Sequence, residues 1–431
     1  MARGVRHFVA AAALLAAVAY AAIYGPLPIA EQIHSDGYSY YVYLPSLFIY
    51  HDPTLTALAD DWYGGPYPDF TGIRRWPSTH RWLNLHPIGT AILMAPFFIG
   101  ADLLTRWSNL PRDGFSLYYQ HGAAIAAIAY WLLGLALLRS MLRQQFSDGV
   151  VLATLIGITW GTNLFHYAVF DGTFSHVYAF VTVCLWLWLV ERWWDRPARW
   201  CSVALGVVAA LNVLIRHTNA IYLLVLPLYG ITRWPDVRPR LIALWDRRAG
   251  LAAAAVAGGV VLAPQLMLYK RITGRWFVNA YDTHGMGFSL ASPHFVDTLF
   301  STQKGLFFWS PLLLLSVTGA FVARGKARAL VLPAVIVFLI QTALIATWSQ
   351  WQFGASFGHR GYTDGFALAA PLMAASFAWV ARHRRAIPAV ALGSTAAVLL
   401  SIAQMIQYWI GVLPLADTTW AQYTDLFLKF R

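Results

Sequence analysis

Two acidic turns and a scattered basic set are the parts of this sequence suited to catalysis. His34-Ser35-Asp36-Gly37-Tyr38-Ser39-Tyr40-Tyr41-Val42-Tyr43-Leu44-Pro45 sets a carboxylate just after the first apolar run and ahead of an aromatic stretch. A carboxylate in that position can take the proton of an attacking hydroxyl as a general base. Phe170-Asp171-Gly172-Thr173-Phe174-Ser175-His176 puts a second carboxylate in a tight turn, where capping the next helix is an equally good use for it. Arg216 and His217 fall between two apolar runs. Ionisable residues there are costly and point to function, although anchoring at lipid headgroups is the ordinary alternative. Lys270, Arg271, Arg275, Lys304 and Arg360 extend the basic set, with His359 beside Arg360. Fixed cations of this kind stabilise a phosphate as it gains charge, and whether they converge is a spatial matter the sequence leaves open. Asp60-Asp61 is a weak metal signal, since adjacent loop carboxylates are usually solvated. No organic cofactor is expected, and dependence on a divalent metal stays open.

The elements that hold these residues are apolar. Of the 431 residues, 58% are hydrophobic and 12% charged, and mean hydropathy is +0.54, whereas a soluble protein carries about 25% charge. This excludes an ordinary soluble domain, a disordered chain and a collagen. Two cysteines, Cys184 and Cys201, exclude a disulfide scaffold. Apolar runs of spanning length fall at 5–24, 116–138, 149–169, 173–190, 201–215, 218–232, 249–268, 305–322, 329–347, 365–381 and 387–410. The first reads as an uncleaved helix rather than a signal peptide, because it is long enough to span and more spans follow. Residues 1–431 are thus expected to form a single integral membrane domain with a long outer loop over 25–115. The apolar piece 86–104 is the ambiguous one. Counting it as a span puts every later basic loop outside, so it is read as a helix at the outer face.

Charge supports that topology. The expected inner segments hold 18 basic and 5 acidic residues, against 13 and 14 elsewhere. The net charge of +12 is therefore a positive-inside signal, and a nucleic-acid partner is unnecessary to explain it. The N-terminus is expected in the cytoplasm and the C-terminus outside. Trp193, Trp194, Trp200, Trp234, Trp309, Trp348 and Trp351 read mainly as an interfacial belt, and Gly157 with Gly161 as a close helix contact.

This arrangement resembles the GT-C superfamily of polytopic glycosyltransferases, particularly bacterial members similar to protein mannosyltransferases and the lipid A aminoarabinose transferase. Ser35-Asp36-Gly37 matches the motif after the first span, and Leu85-His86-Pro87-Ile88 approximates the Lys-Pro-Pro type motif with His86 in place of Lys. Phe170-Asp171-Gly172 resembles the second acidic turn, and Gly305-Leu306-Phe307-Phe308-Trp309-Ser310-Pro311 the opening of a late span. Ser356-Phe357-Gly358-His359-Arg360 resembles the Phe-Gly-x-Arg element. The resemblance covers about 25–381. It implies an all-α polytopic membrane helical bundle of about 11 transmembrane helices, GT-C-like, with juxtamembrane helices on the outer face of the plasma (inner) membrane. It implies transfer of a sugar from a polyprenyl-phosphate donor to a hydroxyl on a lipid, glycan or protein acceptor, with membrane lipids as the other partners. Asp36 would be the base and Asp171 its support, while His86, Arg216, His217, Arg271, Arg275, His359 and Arg360 would bind substrate. The rival readings are a polytopic transporter or flippase and a noncatalytic lipid-binding scaffold.

Overall fold

The computed structural model describes residues 3–24 and 31–431. Positions 25–30, the start of the expected outer loop, and the side chains of Arg3 and Arg6 lie outside that description. The described chain is mostly helical, and its one hairpin pairs Ile73–Arg75 antiparallel with Trp82–Asn84. Five helices are long and apolar enough to cross a membrane: Leu117–Leu142, Ser175–Asp195, Arg248–Thr273, Arg360–Arg382 and Arg384–Trp409. Six shorter apolar helices coincide with the other six expected spans: Phe8–Tyr24, Asp148–Trp160, Arg199–Ile215, His217–Leu228, Pro311–Val322 and Val331–Thr347.

The shortening has local causes. The expected 149–169 span is two helices, Asp148–Trp160 and Leu164–Val169, broken at Gly161–Asn163. Thr162 Oγ1 turns back to Ile158 O at 2.6 Å, while Asn163 Nδ2 donates to Phe357 O at 3.1 Å and its Oδ1 accepts from Thr363 Oγ1 at 3.0 Å. The break fastens the 357–363 turn. Likewise the 218–232 run is mainly a 3₁₀ helix, His217–Leu224, and the 305–322 run breaks at Ser310–Pro311. Proline cannot donate to the helix ladder.

Close helix packing rests on small residues. At Gly157 an added Cβ would stand 2.8 Å from Leu312 Cδ2 and 3.0 Å from Met373 Sδ, so the expected close contact at Gly157 and Gly161 is present. Gly206 meets the backbone of Ala254, and Gly319 that of Leu372. Cys184 and Cys201 are buried and unpaired. Trp200 and Trp234 are exposed, as an interfacial belt requires, whereas Trp193, Trp309 and Trp351 are buried and serve packing instead. Trp193 donates to Ser202 Oγ at 2.9 Å, Trp309 donates to Thr302 O at 3.0 Å, and Trp351 stacks on His294. These rings hold loops to the bundle.

Loops sort into two groups. Lys326 pairs with Glu191 and Asp195, Gln145 Nε2 donates to Arg324 O at 2.7 Å, and Arg247 donates to Trp193 O at 2.8 Å. Those are the expected inner loops, meeting one another. The expected outer segments meet in turn: Thr79 donates to Ile272 O at 2.6 Å, and Ser289 N donates to Thr347 O at 2.6 Å. Residues 270–304 therefore join the 348–364 turn, and Lys304 completes the junction by bonding to Ser356 O.

The 31–115 region has its own core, in which Tyr41, Leu55, Leu58, Ile73 and Phe98 are buried. The ambiguous apolar piece is a helix, Gly89–Arg106, and it is absent from the five long apolar helices. Near its end Asp102 accepts from Arg112 at 2.8 Å and from Tyr119 at 2.7 Å, which anchors it to the Leu117–Leu142 helix. Asp60 and Asp61 lie exposed on the Thr56–Tyr63 helix.

Candidate active site

A short helix, Asp36–Tyr41, opens the site. Ser35 before it has φ 49°, a left-handed backbone that costs energy in a residue other than glycine. Gly37 lies against Thr173, and a Cβ there would overlap Thr173 Oγ1. The glycine of the Ser-Asp-Gly motif thus lets the first acidic turn rest directly on the second. Ser39 then wires the helix to the 84–87 turn. Its hydroxyl donates to Asp36 O at 2.8 Å and lies 2.6 Å from His86 Nδ1, while Asn84 Nδ2 donates to Ser39 O at 2.7 Å. With its own hydrogen committed to Asp36, Ser39 accepts from His86, so Nδ1 carries the ring hydrogen.

A cavity of about 480 Å³ opens beside these elements, within the size range of small-molecule sites. Asp36, His86, Arg216, His217 and Arg360 all line it. Asp36 Oδ2 accepts from Arg360 Nη2 at 2.9 Å, and the Asp36 side chain is 35% exposed. Burial opposes ionisation of Asp36, but the Arg360 guanidinium, with lesser help from His86 and His176, holds its pKa below the usual carboxylate range. The cations therefore outweigh the desolvation, which alone would make it a stronger base. Its Oδ1 has no hydrogen-bond partner among the described residues and is the oxygen left for a substrate.

Both guanidiniums flank one ring: Arg216 Cζ lies 5.7 Å and Arg360 Cζ 5.8 Å from the Phe353 centroid. Arg360 also lies 5.3 Å from the Phe174 ring. Arg216 pairs with Asp364 at 3.8 Å. Each cation has a carboxylate partner and retains N–H groups for a ligand. His86 lines the cavity as a neutral group. Burial pushes its pKa down to about 4 against the pull of Asp36, so it is neutral near pH 7 and brings no charge to a phosphate. Its contribution is a hydrogen-bonding Nε2.

Four expected residues are not on the cavity wall. Asp171 is buried, accepts from His166 at 2.9 Å and lies 3.5 Å from His34. Trp409 Nε1 donates to His166 Nδ1 at 2.9 Å, so His166 Nε2 holds the hydrogen given to Asp171. Burial disfavours the Asp171 charge, yet His166, His34 and Arg360 hold its pKa below the usual range. Asp171 does not cap the Ser175–Asp195 helix, whose first turn has no side-chain cap. Arg271 and Arg275 stand exposed at the end of the Arg248–Thr273 helix, with Arg275 over Trp76. Of the six outer cations, Arg216 and Arg360 line the cavity. His359 is buried with both ring nitrogens unpartnered among the described residues, packed 4.8 Å from Tyr362. Burial, then Lys304 and Arg360, push its pKa down to about 3. Arg360 lines the cavity and His359 does not.

The structure adds His176, Asp364, Tyr40 and Gln341 to the wall. The sequence signal for Asp364 was a carboxylate at the edge of an apolar run, four residues after Arg360. Among the described residues no group of three His, Cys, Asp or Glu side chains is placed to hold a metal. No protein-family model, curated protein or solved structure matches the chain.

Proposed function

We propose that this chain is a membrane glycosyltransferase that moves a sugar from a polyprenyl-phosphate donor to an acceptor hydroxyl at the outer face. The observation that supports it most is the shared cavity, where Asp36 with one free carboxylate oxygen stands beside Arg216 and Arg360. Asp36 Oδ1 takes the acceptor proton as the hydroxyl attacks the anomeric carbon, in one displacement that inverts the centre. Arg360 and Arg216 turn their remaining N–H groups to the phosphate, which gains charge as the sugar leaves. Asp171 orients His34 and the second turn. The partners are the lipid-linked donor, an acceptor on a lipid, glycan or protein, and the surrounding membrane lipids.

Eleven crossings, with the N-terminus in the cytoplasm and the C-terminus outside, suit this role. Support comes from the meeting of the Arg-rich loops with one another and of the aromatic, acid-containing segments with one another. Reporter fusions at 60 and at 326 should report opposite sides, and the same side for both would contradict this topology.

A transporter or flippase is the second reading. The helix breaks at Gly161–Asn163 and Ser310–Pro311, and the buried His176–Asp364 pair, favour it. Against it, His176 and Asp364 stand at the starts of their helices, level in sequence with the outer turns that carry Asp171 and Arg360. Purified protein in vesicles separates the two. Transfer gives a new glycosidic product from a polyprenyl-phosphate sugar and a hydroxyl acceptor, whereas transport moves the donor across with no product.

A further inference from the structure

Two titratable residues on the cavity wall, His176 and Asp364, have no part in the chemistry above. His176, the second residue of its helix, is 3% exposed and lines the cavity. Its Nδ1 lies 3.0 Å from Oδ1 of Asp364, which is 1% exposed. Arg216 Nη1 stands 3.8 Å from Asp364 Oδ2 and 3.4 Å from His176 Nδ1. An ionised carboxylate only accepts, so Nδ1 carries the ring hydrogen and Nε2 keeps the lone pair. Nε2 has no partner among the described residues, and the ring lines the cavity. A carboxylate that fixes the imidazole tautomer and orientation in this way leaves the other nitrogen free to accept a proton.

The need for such a base follows from Asp36. Its carboxylate is held by Arg360 and binds a proton weakly, so a proton taken from the acceptor needs somewhere to go. We propose that His176 Nε2 is the final proton acceptor of the transfer, receiving from Asp36 the proton that the acceptor hydroxyl gives up. The inference rests on the glycosyltransferase reading. In the step, the acceptor oxygen bonds to the anomeric carbon while the bond from that carbon to the phosphate oxygen breaks, its electron pair leaving with the phosphate. The hydroxyl proton passes to the Asp36 carboxylate and on to His176 Nε2.

Charge favours coupling of the two events. The groups facing the imidazole are Asp364 and Arg360 from the 360–365 turn, Arg216, Asp36 across the cavity, and Tyr167, whose ring centroid lies 4.6 Å away. Two carboxylates balance two guanidiniums, so a new imidazolium is uncompensated until the departing phosphate monoester acquires its second negative charge. Proton arrival at His176 and charge growth on the phosphate therefore stabilise each other.

The test uses the purified full chain in lipid vesicles with a polyprenyl-phosphate sugar and a hydroxyl acceptor. His176→Ala should lower kcat by about 10²-fold or more, with the donor KM within about threefold, and added imidazole should restore part of the rate as the pH rises and the imidazole becomes neutral. Asp364→Asn should cost less and leave a rate that imidazole does not raise. If His176→Ala does not fold, His176→Gln takes its place and should show the same split of kcat from KM. Wild-type turnover in the His176 variants, or a loss expressed in KM and untouched by imidazole, would overturn the proposal and reduce the cluster to a holder for Arg216. Independent of turnover, diethyl pyrocarbonate mapped by peptide mass should modify His176 in the resting protein, and a His176 that stays unmodified contradicts a free Nε2. Transfer that depends on Asp36 and ignores His176 overturns this inference alone. No transfer by the wild-type chain with any such donor overturns the reading beneath it.

Discussion

Arg360 Nη2 and Asp36 Oδ2 meet at 2.9 Å, joining the turn that opens the Arg360–Arg382 helix to the first helical residue of the Asp36–Tyr41 segment. The contact binds two distant parts of the chain into one cavity wall. It also sets the protonation state of the carboxylate, since without the guanidinium only burial and more distant groups would act on it.

Removing that guanidinium should therefore move a pH profile. Burial alone raises a carboxylate pKa, so Arg360→Ala should shift the acid limb of the residual kcat/KM toward higher pH. Arg360→Lys should keep the limb near its original position and weaken donor use, because lysine lacks the two-pronged donor geometry. An acid limb that stays in place in Arg360→Ala would mean that Asp36 is not the group being titrated.

The two cavity cations should separate from the two exposed ones. Arg216→Ala should reduce donor use by about tenfold or more, as expected for loss of a charge-assisted hydrogen bond worth roughly 1.5–3 kcal/mol. Arg271→Ala and Arg275→Ala should stay within about twofold of the parent, the usual range for surface substitutions. Steady-state kinetics against donor concentration check this, and a large loss in Arg271→Ala with none in Arg216→Ala would relocate the phosphate site.

Lys304 offers a stability test. It is buried, donates to Leu415 O at 2.9 Å and to Ser356 O, and so ties the C-terminal segment to the turn before Arg360. Burial, with Arg360 adding and Asp417 opposing, pushes its pKa down to about 7. Between that value and the usual lysine range of about 10.4, the unfolded chain holds the extra proton, so this group makes stability rise with pH. The Tm of the parent should climb from pH 7 to 9 relative to Lys304→Met, and equal slopes for the two proteins would contradict the shift.

Much of the scaffold was legible because spanning length and positive-charge bias are strong, local signals. Eleven apolar segments could be read from them, and so could the helix near 86–104. The breaks could not. The interruption at Gly161–Asn163 depends on Asn163 bonding to Phe357 and Thr363, which hydropathy does not register. Within the site, Asp36, Arg216 and Arg360 stood out as charges at the ends of apolar runs. Arg271 and Arg275 looked equivalent to them because sequence proximity to a span says nothing of direction, and the helix points them outward. His176 closed a quoted turn and Asp364 lay four residues past Arg360, but their 3.0 Å contact joins two distant parts of the chain and has no counterpart in spacing along it. The protonation state of His86 was not legible, since burial decides it, and burial comes from the tertiary fold.

Asp36→Asn is nearly isosteric and cannot accept a proton, and its amide can still face Arg360 through oxygen. Sugar transfer by this variant, purified in lipid with a defined polyprenyl-phosphate donor, should fall by about 10²- to 10⁴-fold, while donor binding and Tm stay close to the parent and Asp171→Asn loses less. Near-normal turnover by Asp36→Asn, or a severe loss confined to Asp171→Asn, would contradict the assignment of the base.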